Sequence, residues 1–417
     1  MPTLDDIRAA RERVRGEIIL TPCTRSLVFD DLLPCHLHFK FENLHRTGSF
    51  KERGALNRIL HLTPEERARG VITASAGNHA QAVAFHATRL GIPATVVMPE
   101  TTPLVKVTNT RRHGADVVLH GQRFSEAISE AERLQKVEGR VMIHAFDDDL
   151  VIAGQGTLGL ELAEQVPEVD LVVVPIGGGG IISGTAIALK ALKPEVRLVG
   201  VEAEAAPSAR LSRDAGRIVE AETGETLADG IAVKRLGERT FPIIEALVED
   251  IVLVSEEEIA RAILLLLERE KSVVEGAGAA TLAALLSGKV SVGADETVVA
   301  VLCGGNIDIN MVSRIIDRGL VDDGRVARLR VTTRDRPGSL ALLTQVVARA
   351  GANVLEVVHQ RAFADISMGE VEIIMHLETR GREHLEEVLE ALRAAGTRVE
   401  AVVGSARRPP LPGKATS

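Results

Sequence analysis

The chain has 417 residues, with 49 Lys+Arg against 58 Asp+Glu and a formal net charge of -9. That length implies two or three domains, and the acidic balance argues against a general nucleic-acid binder, which needs Lys and Arg in excess to meet phosphates. Trp and Tyr are absent, so stacking platforms for single-stranded nucleic acid are excluded as well, and the three cysteines (Cys23, Cys35, Cys303) make no disulfide framework.

The N-terminus carries no basic stretch followed by an apolar run. It reads as a capped helix from Leu4 to Arg15, and the expectation is a cytoplasmic protein. From about residue 50 to 320, β-branched runs alternate with Ala/Leu-rich segments of helical period. The runs are Val71–Thr73, Ala94–Val97, Asp116–Leu119, Asp170–Val174, Arg197–Val201 and Thr297–Leu302. Helices are expected at Asn78–Leu90, Ser125–Val137, Ser183–Leu192 and Glu256–Glu270. This is the pattern of an α/β fold with parallel sheets buried on both faces. Leu171 to Leu189 is uncharged, but Pro175 and four consecutive glycines would break a lipid-exposed helix, so it reads as strand, loop and helix and no membrane span is expected.

Past a linker near Asp322–Gly324 the pattern changes. Strand Ala327–Thr332, helix Leu340–Ala350, strands Asn353–His359 and Gly369–Leu377, helix Glu383–Ala395 and strand Arg398–Val403 give the order βαββαβ. The Pro-rich end from Arg407 is expected to fray.

Three loops carry candidate chemistry. Gly177–Gly180 follows a strand and opens a helix, which exposes backbone N–H groups suited to a phosphate. A tight turn would need only one or two glycines. The dinucleotide spacing fails, since Ser183 stands where a third glycine would be, and the nucleotide-binding G-x-x-x-x-G-K-[ST] pattern is absent. Lys51, after Gly48-Ser49-Phe50, would alone be a solvated lysine. Ser75-Ala76-Gly77-Asn78-His79 is a small-residue loop between strand and helix, able to offer N–H groups to a carboxylate or simply to cap the helix.

Taken together, Ser49-Phe50-Lys51, Ser75–His79, Gly177–Gly180 and Leu302-Cys303-Gly-Gly-Asn306 resemble the motif set of the fold-type-II pyridoxal-phosphate enzymes, and among them the threonine and serine ammonia-lyases. The resemblance runs from about residue 5 to 320. The tail resembles an ACT regulatory domain, marked by Asp335–Leu340 and Gly351–Val354. It implies a catalytic body over 1–320, with a smaller subdomain at about 46–145, and a regulatory domain over 325–404.

The resemblance also implies roles. Lys51 would bind the aldehyde of pyridoxal 5'-phosphate covalently and act as the catalytic base; Phe50 and Glu275 would lie near the cofactor ring. Asn78 would bond its 3-hydroxyl oxygen, Gly177, Gly178, Gly179 and Gly180 would cradle its phosphate, and Cys303 would face its pyridine nitrogen. Ser75, Gly77 and His79 would lie on the loop that holds the substrate carboxylate. The implied reaction is β-elimination of L-threonine, and of L-serine, in isoleucine biosynthesis. A branched-chain amino acid would act as effector near Arg336, Gly338, Ser339 and Asn353, in a homodimer or homotetramer.

Some relatives racemise serine with a second serine before the Gly-Asn pair; this chain has Ala76 there. Some bind a divalent metal through an acidic pair; Glu202 matches one position, but the other reads Ser208, and no metal is expected. Serine or 3-hydroxyaspartate dehydratases and racemases of the same fold are the nearest alternatives. A non-catalytic sensor of a phosphate ligand is the alternative outside enzymes.

Overall fold

The computed structural model describes residues 1–360, 367 and 369–402. The end from Arg407 lies outside the described residues. The chain divides into two compact units, Met1–Ile307 and the part from Asp308 on. In chain order the strands are β1 (Cys23–Arg25), β2 (His36–Lys40), β3 (Val71–Ala74), β4 (Ala94–Met98), β5 (Asp116–Leu119), β6 (Val141–Met142) and β7 (Leu171–Pro175). They continue as β8 (Arg197–Ala203), β9 (Asp250–Val254), β10 (Thr297–Val301), β11 (Val326–Arg334), β12 (Asn353–Gln360), β13 (Glu370–Glu378) and β14 (Arg398–Val402).

The first unit holds two sheets. One has the order β1-β2-β10-β7-β8-β9 and is parallel except for its edge strand β1; the other, β5-β4-β3-β6, is parallel throughout. Every residue of β4, β7 and β10 is buried, as strands covered by helices on both faces must be. The alternation of strands and helices legible in the sequence is therefore the architecture. Three strands of the first unit's larger sheet, β1, β2 and β9, and β6 of the smaller one escaped the sequence reading.

One helix that escaped it does much to set the geometry. Asp149–Gln165 is capped by Asp148, whose carboxylate accepts the N–H groups of Leu150 and Val151. It packs against both the Lys51–Leu60 helix and the Gly180–Leu192 helix. Glycines allow the close approach. A Cβ on Gly154 would stand 2.6 Å from the Arg53 carbonyl oxygen, and one on Gly184 2.3 Å from that of Ile152. Interior glycines cost a helix about 1 kcal/mol each relative to alanine; here that cost is offset by backbone-to-backbone packing. The helices that present Lys51 and the glycine loop are thus seated on one common support.

The second unit begins with the helix Ile309–Asp322, ahead of β11. Its sheet is antiparallel with the order β12-β13-β11-β14, and its elements follow βαββαβ from Val326 to Val402. Leu329, Val331, Leu343, Val347, Ile373, Met375, Val388 and Leu392 form its core. Gly351, at φ +82°, turns the chain out of the helix Ser339–Arg349. Among the described residues no helix is long and apolar enough to cross a membrane.

Candidate active site

Lys51 is the first residue of its helix. Its Nζ donates to the Ala145 carbonyl at 2.9 Å and stands 5.1 Å from the centre of the Phe50 ring. Burial pushes its ammonium down from the ordinary lysine value to about 8, while the Cys303 thiol and the Glu275 carboxyl lie near enough to pull it back up. A lysine in this state is partly a free amine near neutral pH. The Phe50 N–H donates to the Cys303 carbonyl at 3.0 Å, which ties the lysine's entry turn to the chain after β10.

Behind Lys51 the helix is anchored by charge. Arg53, fully buried, donates to both oxygens of Glu42 (2.6 and 2.8 Å) and to both of Glu161 (2.6 and 2.8 Å). Lys40 adds a 2.5 Å bond to Glu161. Burial alone would raise the Glu42 carboxyl, but the Arg53 guanidinium and His45 hold it well below the usual carboxylate range. Such a cluster is costly to break, because removing one partner strands a buried charge. The first turn of the helix, and Lys51 with it, is held in place. Adjacent positions Lys51, Glu52 and Arg53 look in the sequence like a solvated charged run; two of the three are wholly buried.

Asn78 starts its helix (Asn78–Arg89) and joins a chain of side-chain amides. Asn306 Nδ2 donates to the Thr47 carbonyl and to Asn78 Oδ1, both at 2.7 Å; Asn78 Nδ2 donates to Glu275 Oε1 at 2.7 Å. That leaves one Asn78 N–H for another acceptor. Burial raises the Glu275 carboxyl to about 7, and the nearby Asp229 pushes in the same direction. Gly304 leaves room for this chain: a Cβ there would lie 2.3 Å from Glu275 Oε1. Cys303 is buried, and burial raises its thiol well above the ordinary value, so it is neutral.

The glycine loop leaves β7 through Ile176. Gly179, at φ +93°, caps the helix that Gly180 begins. The early N–H groups of a helix have no partner within it and favour an anion. Phe146 closes over the loop, so that a Cβ on Gly178 would fall 2.3 Å from its ring.

The Ser75–Asn78 loop presents backbone. The Gly77 N–H meets Ser75 Oγ at 3.3 Å, and Asn78 and His79 open the helix. The His79 side chain turns inward instead: its Nε2 donates to the Ile143 carbonyl at 2.9 Å, and burial, with Lys51 nearby, pushes it down to about 3. It is a neutral imidazole, available to a ligand only through its backbone. Glu202 is also occupied. Its oxygens accept the N–H groups of Ala209 (2.8 Å) and Arg210 (2.9 Å), with Ser208 Oγ at 3.4 Å, which caps the next helix.

In the second unit the four effector positions do not meet within one chain. Gly338, at φ +91°, and Ser339, whose Oγ donates to the Arg334 carbonyl at 2.8 Å, sit with Arg336 at the start of the helix Ser339–Arg349. Asn353 lies beyond that helix's other end and bonds Glu378 at 3.3 Å. The helix has 11 residues, which at about 1.5 Å of rise each keeps the two ends roughly 16 Å apart. The sequence already puts the two loops at opposite ends of this helix, and the structure agrees.

Sequence reasoning gave no role to three contributors. Asn306 was visible within a motif. The Ala145 carbonyl and the Phe146 ring had no signal, since a carbonyl contact spanning 94 positions leaves no residue-type trace.

An amine, an amide donor, a neutral thiol and a glycine loop all lie in the first unit, and the chain is similar to known proteins. Residues 14–304 match the pyridoxal-phosphate dependent enzyme family, and residues 324–402 match the ACT domain. The L-threonine ammonia-lyase of Geobacter sulfurreducens is 50% identical over 394 residues, which are 94% of this chain and 98% of that protein. The processed form of threonine deaminase isoform 2 from Solanum lycopersicum is similar in structure at a TM-score of 0.70 and 37% identity, covering 75% of this chain and 91% of that one. A maize serine racemase gives a TM-score of 0.72 at 36% identity, covering 76% and 98%. The chain belongs to the pyridoxal-phosphate dependent enzyme family and carries an ACT domain after its catalytic body.

Proposed function

We propose that the protein is an L-threonine ammonia-lyase, converting L-threonine to 2-oxobutanoate and ammonia and acting on L-serine as a second substrate. The observation that carries this reading is the Lys51 amine, buried at the head of its helix beside Phe50, on a support shared with the glycine loop. The 50% identity to an L-threonine ammonia-lyase along nearly the whole chain supports threonine as the substrate.

The residues fit pyridoxal phosphate. Lys51 has the free amine an aldehyde requires, Asn78 has an N–H left for a ring oxygen, and Gly177–Gly180 lead into the helix that Gly180 begins, whose first N–H groups favour an anion. When bound, the cofactor supplies an electron sink for the pair left behind when the substrate loses its α-proton. The chain's own residues do the rest. Lys51, with its amine lowered toward neutrality, takes that proton. The loop that carries Ser75, Gly77 and His79 holds the substrate carboxylate through groups other than the Ser75 N–H, which already donates to the Val97 carbonyl at 3.2 Å. Cys303, a neutral thiol and weak donor, would lie at the ring nitrogen and bring no negative charge to hold a proton there, which would favour elimination over longer-lived carbanion chemistry. Residues from about 46 to 145, built around β3–β6, form the smaller subdomain, and its closure over substrate excludes water.

Ala76 has no proton to give to the opposite face of the substrate, which favours elimination over racemisation. The branched-chain effector is bound by the ACT domain. Because Arg336 and Asn353 lie at opposite ends of one helix, a site using both needs two copies of the domain, in a homodimer or homotetramer. A place in isoleucine biosynthesis in the cytoplasm follows from that regulation.

The test is a substrate panel of L-threonine, L-serine and 3-hydroxyaspartate, scored for 2-oxo acid, ammonia and D-amino acid. The expected result is fastest 2-oxobutanoate release, with little D-serine formed from L-serine. Comparable D-serine and pyruvate, or no turnover of threonine, would overturn the reading.

A further inference from the structure

Thr240 lies behind the glycine loop, 62 positions downstream of Gly178, and is fully buried. Its Oγ1 donates to the Gly178 carbonyl at 2.7 Å and accepts the Gly237 N–H at 3.1 Å. The Gly237 N–H also reaches the Gly178 carbonyl at 3.4 Å. The turn that carries Thr240 is fixed from its other side: Asp147 accepts the N–H groups of Glu238 (3.1 Å) and Arg239 (2.8 Å). Asp147 follows Ala145 and Phe146, which touch Lys51 and the glycine loop.

A trans peptide is planar, with its C=O and N–H pointing in opposite directions. Holding the Gly178 carbonyl against Thr240 therefore aims the Gly179 N–H away from Thr240, towards the open side of the loop. Four consecutive glycines have no side chains to choose that orientation, and glycine is the residue freest to rotate. Something outside the loop must hold it, and the hydroxyl of Thr240 is placed to do so.

We propose that Thr240, held in place through its turn by Asp147, is a positioning residue for the phosphate cradle. Its hydroxyl sets the Gly178–Gly179 peptide so that the loop receives a phosphate preformed. Thr240, fully buried behind the loop, acts through its bond to the Gly178 carbonyl. The inference rests on reading Gly177–Gly180 as the phosphate site, and its test separates the two.

The chain has no Trp or Tyr, so cofactor absorbance can be titrated without interference from aromatic side chains. Dissociation constants of the cofactor-free protein would be measured for pyridoxal phosphate and for pyridoxal, which lacks the phosphate. The wild-type protein must prefer the phosphorylated form; if it does not, the reading of the loop fails. Thr240→Val keeps the shape and removes the hydroxyl. It should reduce that preference roughly five- to tenfold, the worth of about one hydrogen bond, while pyridoxal binding stays the same. Thr240→Ser should restore the preference. If Thr240→Val does not fold, Asp147→Asn at a half-buried position replaces it and should lower the same ratio by a smaller factor. The 31P resonance of bound cofactor should shift in either variant. A wild-type preference that survives both substitutions, or a loss that affects pyridoxal equally, would overturn the proposal while leaving the loop's role intact.

Discussion

Asn78 and Glu275 share a 2.7 Å hydrogen bond whose direction is set from a backbone carbonyl two residues away in the network. The Thr47 carbonyl can only accept, so Asn306 must turn its NH2 group towards it; that group then donates to Asn78 Oδ1, and Asn78 must present Nδ2 to Glu275. The amide that would meet the cofactor is therefore preoriented, and Glu275 serves as its acceptor.

Glu275 makes the stability of the protein depend on pH. Its folded value of about 7 lies above the unfolded value of 4.5, so between these limits the folded state holds the extra proton and stability falls as pH rises. Glu202, also raised by burial to about 7, contributes with the same sign. Glu275→Gln keeps an acceptor for Asn78 and removes the titration. Denaturant unfolding of the cofactor-free protein should show the variant gaining on wild type between pH 4.5 and 7. A difference independent of pH would contradict this.

Lys51 should react as an amine with a midpoint near 8. Amine-reactive labelling of cofactor-free protein, read at the Lys51 peptide against pH, should show a midpoint about two units below that of exposed lysines, which titrate at ~10.4. Because the folded value is depressed, the unfolded state holds the extra proton between about 8 and 10.5, so this residue's contribution makes stability rise with pH in that window. A Lys51 midpoint matching the exposed lysines would refute the burial argument.

Gly304→Ala tests the space around the Asn78–Glu275 pair. Its Cβ would fall 2.3 Å from Glu275 Oε1 and 3.1 Å from Asn78 Nδ2. Cofactor affinity should drop by roughly five- to a hundredfold, on the order of 1–3 kcal/mol for overpacking. Gly216→Ala is the control: its φ is +61° but nothing lies within 4 Å of a Cβ there, so it should lower stability and leave cofactor affinity unchanged. Equal affinities for the Gly304→Ala variant and wild type would count against the geometry.

Sequence periodicity was enough for wholly buried strands such as β7 and β10, which are short, β-branched and uninterrupted; β2 and β9, only partly buried, escaped it. The loops Ser75–His79 and Gly177–Gly180 were legible because each sits where a strand ends and a helix begins. What stayed hidden was determined by distant partners. Gly154, Gly156 and Gly159 disfavour a helix by residue type, yet they lie inside the Asp149–Gln165 helix, where close packing against neighbouring groups requires them. The burial of Arg53 left no mark in the sequence, because it follows from Glu42 and Glu161 and neither is its sequence neighbour. His79 sat in a motif that faces ligand, yet its side chain faces the core. Thr240 gave no signal at all, since its contact is with a backbone carbonyl.

The effector reading predicts a different behaviour for the chain cut after Ile307, where the first unit ends. Isoleucine or valine should shift the L-threonine saturation curve of the full chain and leave that of the shortened one unchanged, and the coupling must be reciprocal in binding free energy. Identical kinetics for the two forms, with no amino acid bound to the full chain by calorimetry, would reject regulation.

The central claim, that pyridoxal phosphate chemistry in this protein runs through Lys51, is tested most directly by borohydride reduction of the cofactor-loaded enzyme followed by peptide mapping. Reduction should bleach the visible band and leave the cofactor fixed on the peptide containing Lys51, and Lys51→Ala should retain the fold, trap nothing and lose nearly all 2-oxobutanoate release. Label on another lysine, or full turnover by Lys51→Ala, would contradict the account.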